Sequence, residues 1–258
     1  MPTDRQQHIV QYSGGIGSWA AAMRVAERHG VQDLTLLVAD SHAEHPDLWR
    51  FVRQSCECLG VAPVIVADGR DPWQVFLDER FLGNSRLAPC SAALKQNPCR
   101  RWVEANAVPD PERTILYVGF DDSERRRIAG AVSGWAPWRV EFPMCEEPYL
   151  TKEQMLAWCR TTGVEPPALY AWADHNNCAG ACVRAGQRHW AKVLIHAPQT
   201  YAMAERREEE VRLHLGKDVA ILRERRGGVS RPLTLTTFRH RLQGANRSDR
   251  EMAAGIAG

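Results

Sequence analysis

The chain has 258 residues, 44% hydrophobic and 25% charged, and a formal net charge of +2. This is ordinary globular composition, and it excludes a polyelectrolyte, a low-complexity chain and a collagen-like repeat. No apolar run approaches the roughly 18 residues of a membrane span, and residues 1–7 carry no apolar signal region, so a cytoplasmic protein is expected.

Residues 8–68 alternate as strand, helix, strand, helix, strand. His8–Tyr12 reads as a strand, Trp19–His29 as a helix and Asp33–Asp40 as a continuous apolar strand of a covered parallel sheet. Pro46–Leu59 follows as a helix and Ala62–Val66 as a third strand. A short helix is expected around Gln74–Arg80, with further strands at Thr114–Val118 and Trp138–Phe142. The pattern predicts an α/β fold: a doubly wound, mostly parallel sheet with helices on both faces and its ligand at the carboxyl ends of the strands. Thr151 is placed to cap a helix carrying Met155, Leu156 and Trp158 into the core. Residues 198–243 form a charged C-terminal extension with a helix at Glu205–Glu210 and a strand at Lys217–Leu222. Residues 1–197 form the main domain, and residues 244–258 are expected to be disordered.

Between the first strand and helix lies Tyr12-Ser13-Gly14-Gly15-Ile16-Gly17-Ser18-Trp19. A glycine-rich turn entering a helix presents unpaired N–H groups and the positive end of the helix dipole, which suits phosphate. Ser13 and Ser18 add hydroxyl donors. A Walker loop is excluded because no lysine follows. A dinucleotide fingerprint can be threaded through Gly15, Gly17 and Ala20, with Asp40 as the distal acid. Asp40 and Glu44, at the end of the second strand, are candidates for Mg²⁺ or nucleotide hydroxyls. Asp47 is more simply a first-turn acid.

Eight cysteines in a reducing compartment point to metal binding, redox chemistry or packing. Cys178-Ala-Gly-Ala-Cys182 has a spacing that lets two thiols share one centre, and Cys90 upstream makes three. Three thiolates can hold a [4Fe–4S] cluster with one iron open, or zinc with a fourth ligand. Cys145 leads the candidates for the fourth position, ahead of Cys99 and His175. Cys56, Cys58 and Cys159 read as structural. Lys95 is placed to meet a phosphate or sulfate as a point charge. The Asp121–Arg127 run clusters arginines after a strand end, and Glu124 and Arg127 are also spaced for a local ion pair. The arginines of the C-terminal extension are either a solvated face or a contact to tRNA or DNA.

Taken in order, these segments resemble the PAPS reductase-like branch of the pyrophosphate-loop (adenine nucleotide alpha-hydrolase-like) superfamily over residues 8–195. The resemblance rests on Ser13-Gly14-Gly15-x-x-Ser18, Asp40…Glu44-x-Pro46, Cys90…Lys95-x-x-Pro98, Gly119…Glu124…Arg127 and Cys178…Cys182. It departs from the family at Gly17, where an acid is usual, and at Ser41 and His42. It implies nucleotide binding by Ser13, Gly14, Gly15, Gly17 and Ser18 with Asp40 and Glu44, and catalytic roles for Asp40, Lys95, Glu124 and Arg127. It further implies ATP with Mg²⁺, adenylation of a substrate, and a sulfur donor protein or thiol as partner; an oligomer is compatible with this class. PAPS or adenylylsulfate reduction is the alternative activity, and a nucleotide- or metal-binding module without turnover is the third.

Overall fold

The computed structural model describes residues 5–244. Five strands, β1 (Gln7–Gln11), β2 (Leu34–Asp40), β3 (Pro63–Ala67), β4 (Thr114–Val118) and β5 (Arg139–Glu141), form one parallel sheet in the order β3-β2-β1-β4-β5. The chain moves outward from β1 to β3, then returns to place β4 on the other side of β1. The order therefore reverses between β1 and β4, and a crevice opens there at the carboxyl ends.

The alternation of side chains explains why the sheet is covered twice. Val10, Leu36, Val38, Ile115 and Tyr117 face α1 (Ile16–His29), α2 (Pro46–Leu59) and a later helix, Lys152–Thr161. Ile9, Leu37 and Leu116 face the opposite way, onto α5 (Asn97–Asn106) and Trp138. Trp19 is fully buried in the first layer and meets Trp158 edge-on, with ring centroids 4.9 Å apart. Between β3 and α5 lie α3 (Pro72–Asp78), a single helical turn α4 (Pro89–Ser91) and a π-helical turn at Ala92–Gln96 that runs straight into α5. After β4 come α6 (Ile128–Trp135), β5 and α7 (Lys152–Thr161), which Thr151 caps through a reciprocal pair with Gln154 as expected.

A second core gathers α8 (Gln187–His196), α9 (Pro198–Leu215), the antiparallel ribbon β6 (Leu222–Arg226) and β7 (Val229–Leu233), and a helix over residues 235–244, α10. Trp190, Tyr201, Ile221, Leu233 and Phe238 pack there with Phe76, Leu82 and Val183 from the first part of the chain. The carboxylate of Glu208, 1% exposed, accepts from Ile221 N (2.8 Å) and Leu235 N (2.7 Å) and so clamps both ends of the ribbon to α9.

Several boundaries differ from expectation. Helix α1 begins at Ile16, three residues before Trp19, which puts Gly17 and Ser18 inside its first turn. The strand expected at Lys217–Leu222 begins only at Leu222, because Arg212 holds Val219 O and Glu208 takes the Ile221 N–H, leaving no ladder partner for 217–221. Of the residues 244–258 expected to be disordered, Gly244 instead ends α10, and residues 245–258 lie outside the described residues.

Candidate functional site

The Ser13–Ser18 loop sits at the carboxyl end of β1, beside the point where the strand order reverses. Gly14 takes φ +70, a conformation that L side chains rarely adopt, and a Cβ there would lie 2.8 Å from Leu48. Ser13 Oγ donates to Ser18 Oγ (3.2 Å), and Ser18 Oγ donates to Gly15 O (2.8 Å). Gly15 is the N-cap of α1 and has no side chain to satisfy the first N–H groups. Gly17 has its own reason to lack an acid. A Cβ on it would lie 2.6 Å from Gly119 O, and a Cβ on Gly119 would lie 2.6 Å from Gly17 C and O. Two backbones touch here, so neither position admits a side chain without moving β4 against α1.

Two residues that sequence reasoning missed tie this loop to the cysteine segment. Tyr170 Oη accepts from Ile16 N at the helix start (3.0 Å), and Asn176 Nδ2 donates to Gly14 O (3.0 Å). Burial raises the Tyr170 pKa, so the phenol keeps its proton and can donate it. Lys152 lies over the Tyr170 ring with its Nζ 4.3 Å from the centroid. Neither Tyr170 nor Asn176 belongs to a recognisable motif. Each gains its place from the chain folding back over the loop, a signal visible only in three dimensions.

The end of β2 carries Asp40, whose Oδ1 accepts from His42 N (2.8 Å), and then Glu44. Glu44 is a hub. Its side chain is 4% exposed; Oε1 accepts from Lys95 Nζ (2.8 Å) and from the buried Ser41 Oγ (2.9 Å), while Oε2 accepts from Cys178 N (2.9 Å). Lys95 reaches it from the π-helical turn, a widening often found at functional sites. Burial alone would lower the Lys95 pKa, but the Glu44 carboxylate and the thiols of Cys178 and Cys182 hold it well above its ordinary value. Lys95 and Glu44, expected to act separately on phosphate and on metal or ribose, are thus joined in one ion pair.

Cys178, Cys182 and Cys90 converge on that pair. Cys178 and Ala179 both take positive φ (50 and 49), a strained run for residues with a Cβ, and Gly180 continues it at 89. The Cys178 thiol hydrogen-bonds to Cys182. That bond, with the Arg184 backbone N–H and Lys95, lowers the Cys182 pKa, while sharing the proton and burial raise that of Cys178, so a single negative charge is favoured on the pair. Burial, with the charge on Cys182, pushes Cys90 up to about 11. Below, His189 Nε2 meets Gly180 O at 2.7 Å and stacks on His175, whose pKa burial lowers to about 4.

Cys145, expected as a fourth ligand, does not join them. Its Sγ donates to Phe120 O (3.2 Å) and Asp121 O (3.3 Å), under the loop after β4. Cys99 is buried against the other face of the sheet, and Cys56 and Cys159 are core thiols, as expected. Among the described residues, no three His, Cys, Asp or Glu side chains form a metal-ligand group. As arranged, Cys90, Cys178 and Cys182 do not form a ready [4Fe–4S] or zinc ligand set.

On the far side of the crevice, Glu124 and Arg127 form an ion pair with each other on a 3₁₀ turn, their side chains 35% and 54% exposed. Arg127 also covers the Phe120 ring at 4.0 Å, and Arg125 holds Cys145 O (2.5 Å). Arg125 and Arg127 are thus engaged locally.

No family model matches the chain, and no characterised protein matches it by sequence. Among solved structures the chain is similar to phosphoadenylyl-sulfate (PAPS) reductase from Candida auris in a phosphate complex. The identity is 11%, the match covers 66% of this chain and 78% of that one, and the TM-score is 0.44. It is also similar to NH3-dependent NAD synthetase from Campylobacter jejuni subsp. jejuni in complex with the nitrate ion, with 14% identity, 84% and 89% coverage and a TM-score of 0.40.

Proposed function

We propose that the chain binds ATP at Ser13–Ser18 and activates an oxygen of its substrate by adenylation, in preparation for sulfur transfer. The observation that carries this reading is that an anion-binding helix start and a thiolate–lysine–carboxylate group share one edge of the sheet, strapped together by Tyr170, Asn176 and Glu44. The substrate oxygen would attack the α-phosphorus, and the bond from that phosphorus to the pyrophosphate oxygen would break. Open N–H groups of the loop would take the charge of the departing pyrophosphate, a stabilisation that counts for most in a water-poor site. A sulfur nucleophile, supplied by a donor protein or thiol, would then form the new bond to carbon as AMP leaves. Cys182 would carry that sulfur as a persulfide received from a persulfide donor. Once its outer sulfur has bonded to carbon, Cys178 would attack Cys182 Sγ, release the thiolated product and leave a Cys178–Cys182 disulfide for an external dithiol to reduce. Mg²⁺ delivered with ATP would offset charge on the phosphates. The test is release of pyrophosphate from ATP when candidate RNA or DNA is added, and its loss in Ser13→Ala/Ser18→Ala. ATP binding without turnover under any substrate would leave only a binding module.

The Cys182 thiolate beside Lys95 favours a second reading, sulfonucleotide reduction. There the thiolate would attack the sulfur of PAPS, expelling the nucleotide, and a second thiol would release sulfite. Sulfite formation from PAPS with a dithiol reductant distinguishes it from the first.

A further inference from the structure

Away from the nucleotide loop, the second core leaves a cleft of about 250 Å³ between the loop after α3 and the start of β6. Its walls carry Arg80, Lys217 and Arg223, all exposed, with Phe81, Asn84 and Leu215 between them. Among the described residues no carboxylate lines it. The acids nearest in sequence are engaged elsewhere, Asp78 by Arg70 (2.8 Å), Asp218 by Arg212 (3.3 Å) and Glu224 by Arg241 (2.7 Å), while Glu79 flanks the cleft without lining it. Three cations facing one concavity repel each other unless an anion enters, and one apolar aromatic ring, 36% exposed, has no structural reason to stay in water.

The ribbon extends this surface. The β6–β7 register pairs Leu222 with Leu233 on the buried face, so Arg223 and Arg225 stand on the solvent face opposite Pro232 and Ser230. Arg223 is steadied by Ser230 Oγ (2.8 Å) and Arg225 by Gly228 O (3.3 Å), neutral partners that leave both charges uncompensated. One wall of the cleft, the loop after α3, connects to the cysteine group. Gly83 packs so closely on Val183, the neighbour of Cys182, that a Cβ would lie 3.0 Å from Val183 Cγ2, and the same loop runs on into Cys90.

We propose that this cleft and ribbon bind a single-stranded stretch of nucleic acid, its phosphates on Arg80, Lys217, Arg223 and Arg225 and a base stacked on Phe81. Interleaved cations and an exposed aromatic ring are the pattern that single strands require, whereas a protein anion would have no use for the ring. The proposal rests on the adenylating activity only in calling this strand the substrate; the binding itself needs no ATP.

The experiment is fluorescence anisotropy of a labelled 15-nucleotide single-stranded RNA and its DNA counterpart with the full chain, without ATP, over a salt series. The wild type binds both, and log affinity falls linearly with log salt. Each lost phosphate contact reduces that slope by about 0.7, so Arg80→Gln/Lys217→Gln lowers it by about 1.4. Phe81→Leu weakens binding about tenfold with the slope unchanged. Arg223→Glu, on the exposed ribbon face, weakens binding and lowers the slope by at least about 0.7 without touching the core, and thermal melting confirms that each variant is folded. Unaltered binding in these variants, or equal competition by polyglutamate, overturns the proposal. ATP binding measured separately by calorimetry stays at wild-type strength in all of them, so failure here is distinguishable from failure of the Ser13–Ser18 reading.

Discussion

Glu44 and Glu208 are built alike and do different things. Each is a buried carboxylate that captures backbone N–H groups of a distant segment: Cys178 N in one case, Ile221 N and Leu235 N in the other. Glu44 also has a cation at 2.8 Å and two thiols beyond it, at the open edge of the sheet. Glu208 has no bonded cation, and burial pushes its pKa up to about 7. The same device ties a lysine to the cysteine loop in one place and clamps a ribbon to a helix in the other. What separates them is the lysine, supplied by a π-helical turn that an ordinary helix would not present.

The largest expected effect is at Glu44. Glu44→Gln leaves the Lys95 charge without its partner and weakens the tie to the Cys178 loop; breaking such a buried pair costs about 3 kcal/mol. Urea unfolding measures it, and pyrophosphate release falls with it. The Glu208 arm is read by pH. The folded state holds the Glu208 proton up to about pH 7, the unfolded state only to about 4.5. Between these values the folded state binds more protons, so stability falls as pH rises through this window and stays lower above it. At about 1.4 kcal/mol per pKa unit the loss is about 3 kcal/mol. The wild-type minus Glu208→Gln difference in unfolding free energy, followed from pH 4.5 to 8, isolates it, and turnover at fixed pH is unaffected in the folded variant.

Gly17→Asp tests whether the absent acid is a defect. The close contact with Gly119 O predicts that adding it lowers stability by about 2 kcal/mol, as overpacking does, and does not raise ATP turnover; the melting temperature and pyrophosphate assay report both. A smaller effect is expected from Tyr170→Phe, which removes one hydrogen bond worth about 1 kcal/mol and weakens ATP affinity accordingly in calorimetry. Smallest is Glu124→Gln. Its exposed pair with Arg127 is worth at most about 0.5 kcal/mol, so unfolding is nearly unchanged, whereas Glu44→Gln is not tolerated so quietly.

The fold was largely legible in the chain. Continuous apolar strands such as Leu34–Asp40 and a proline-started helix at Pro46 report burial on both faces and a fixed helix start, and both are local properties. The glycine-rich turn into α1 was legible for the same reason. The partnership of Glu44 with Lys95 was not, because 51 residues separate them and each also has a sensible solitary role. Cys145 misled because a thiol near a strand end is equally suited to ligation or to bonding carbonyls, and here Phe120 O and Asp121 O take it. Gly17 was read as an acid missing from a motif; its cause is the backbone of Gly119, 102 residues later, which no local pattern could show.

The central claim is that the Ser13–Ser18 loop and the Cys178–Cys182 group form one site. The direct measurement is the rate of Cys182 alkylation by iodoacetamide, read by peptide mass spectrometry across pH, with and without ATP·Mg²⁺. The expected result is half-maximal reactivity below the ordinary thiol range and well below that of Cys90, and a several-fold slowing of Cys182 labelling when ATP is bound. ATP bound by calorimetry with Cys182 labelling unchanged would contradict it.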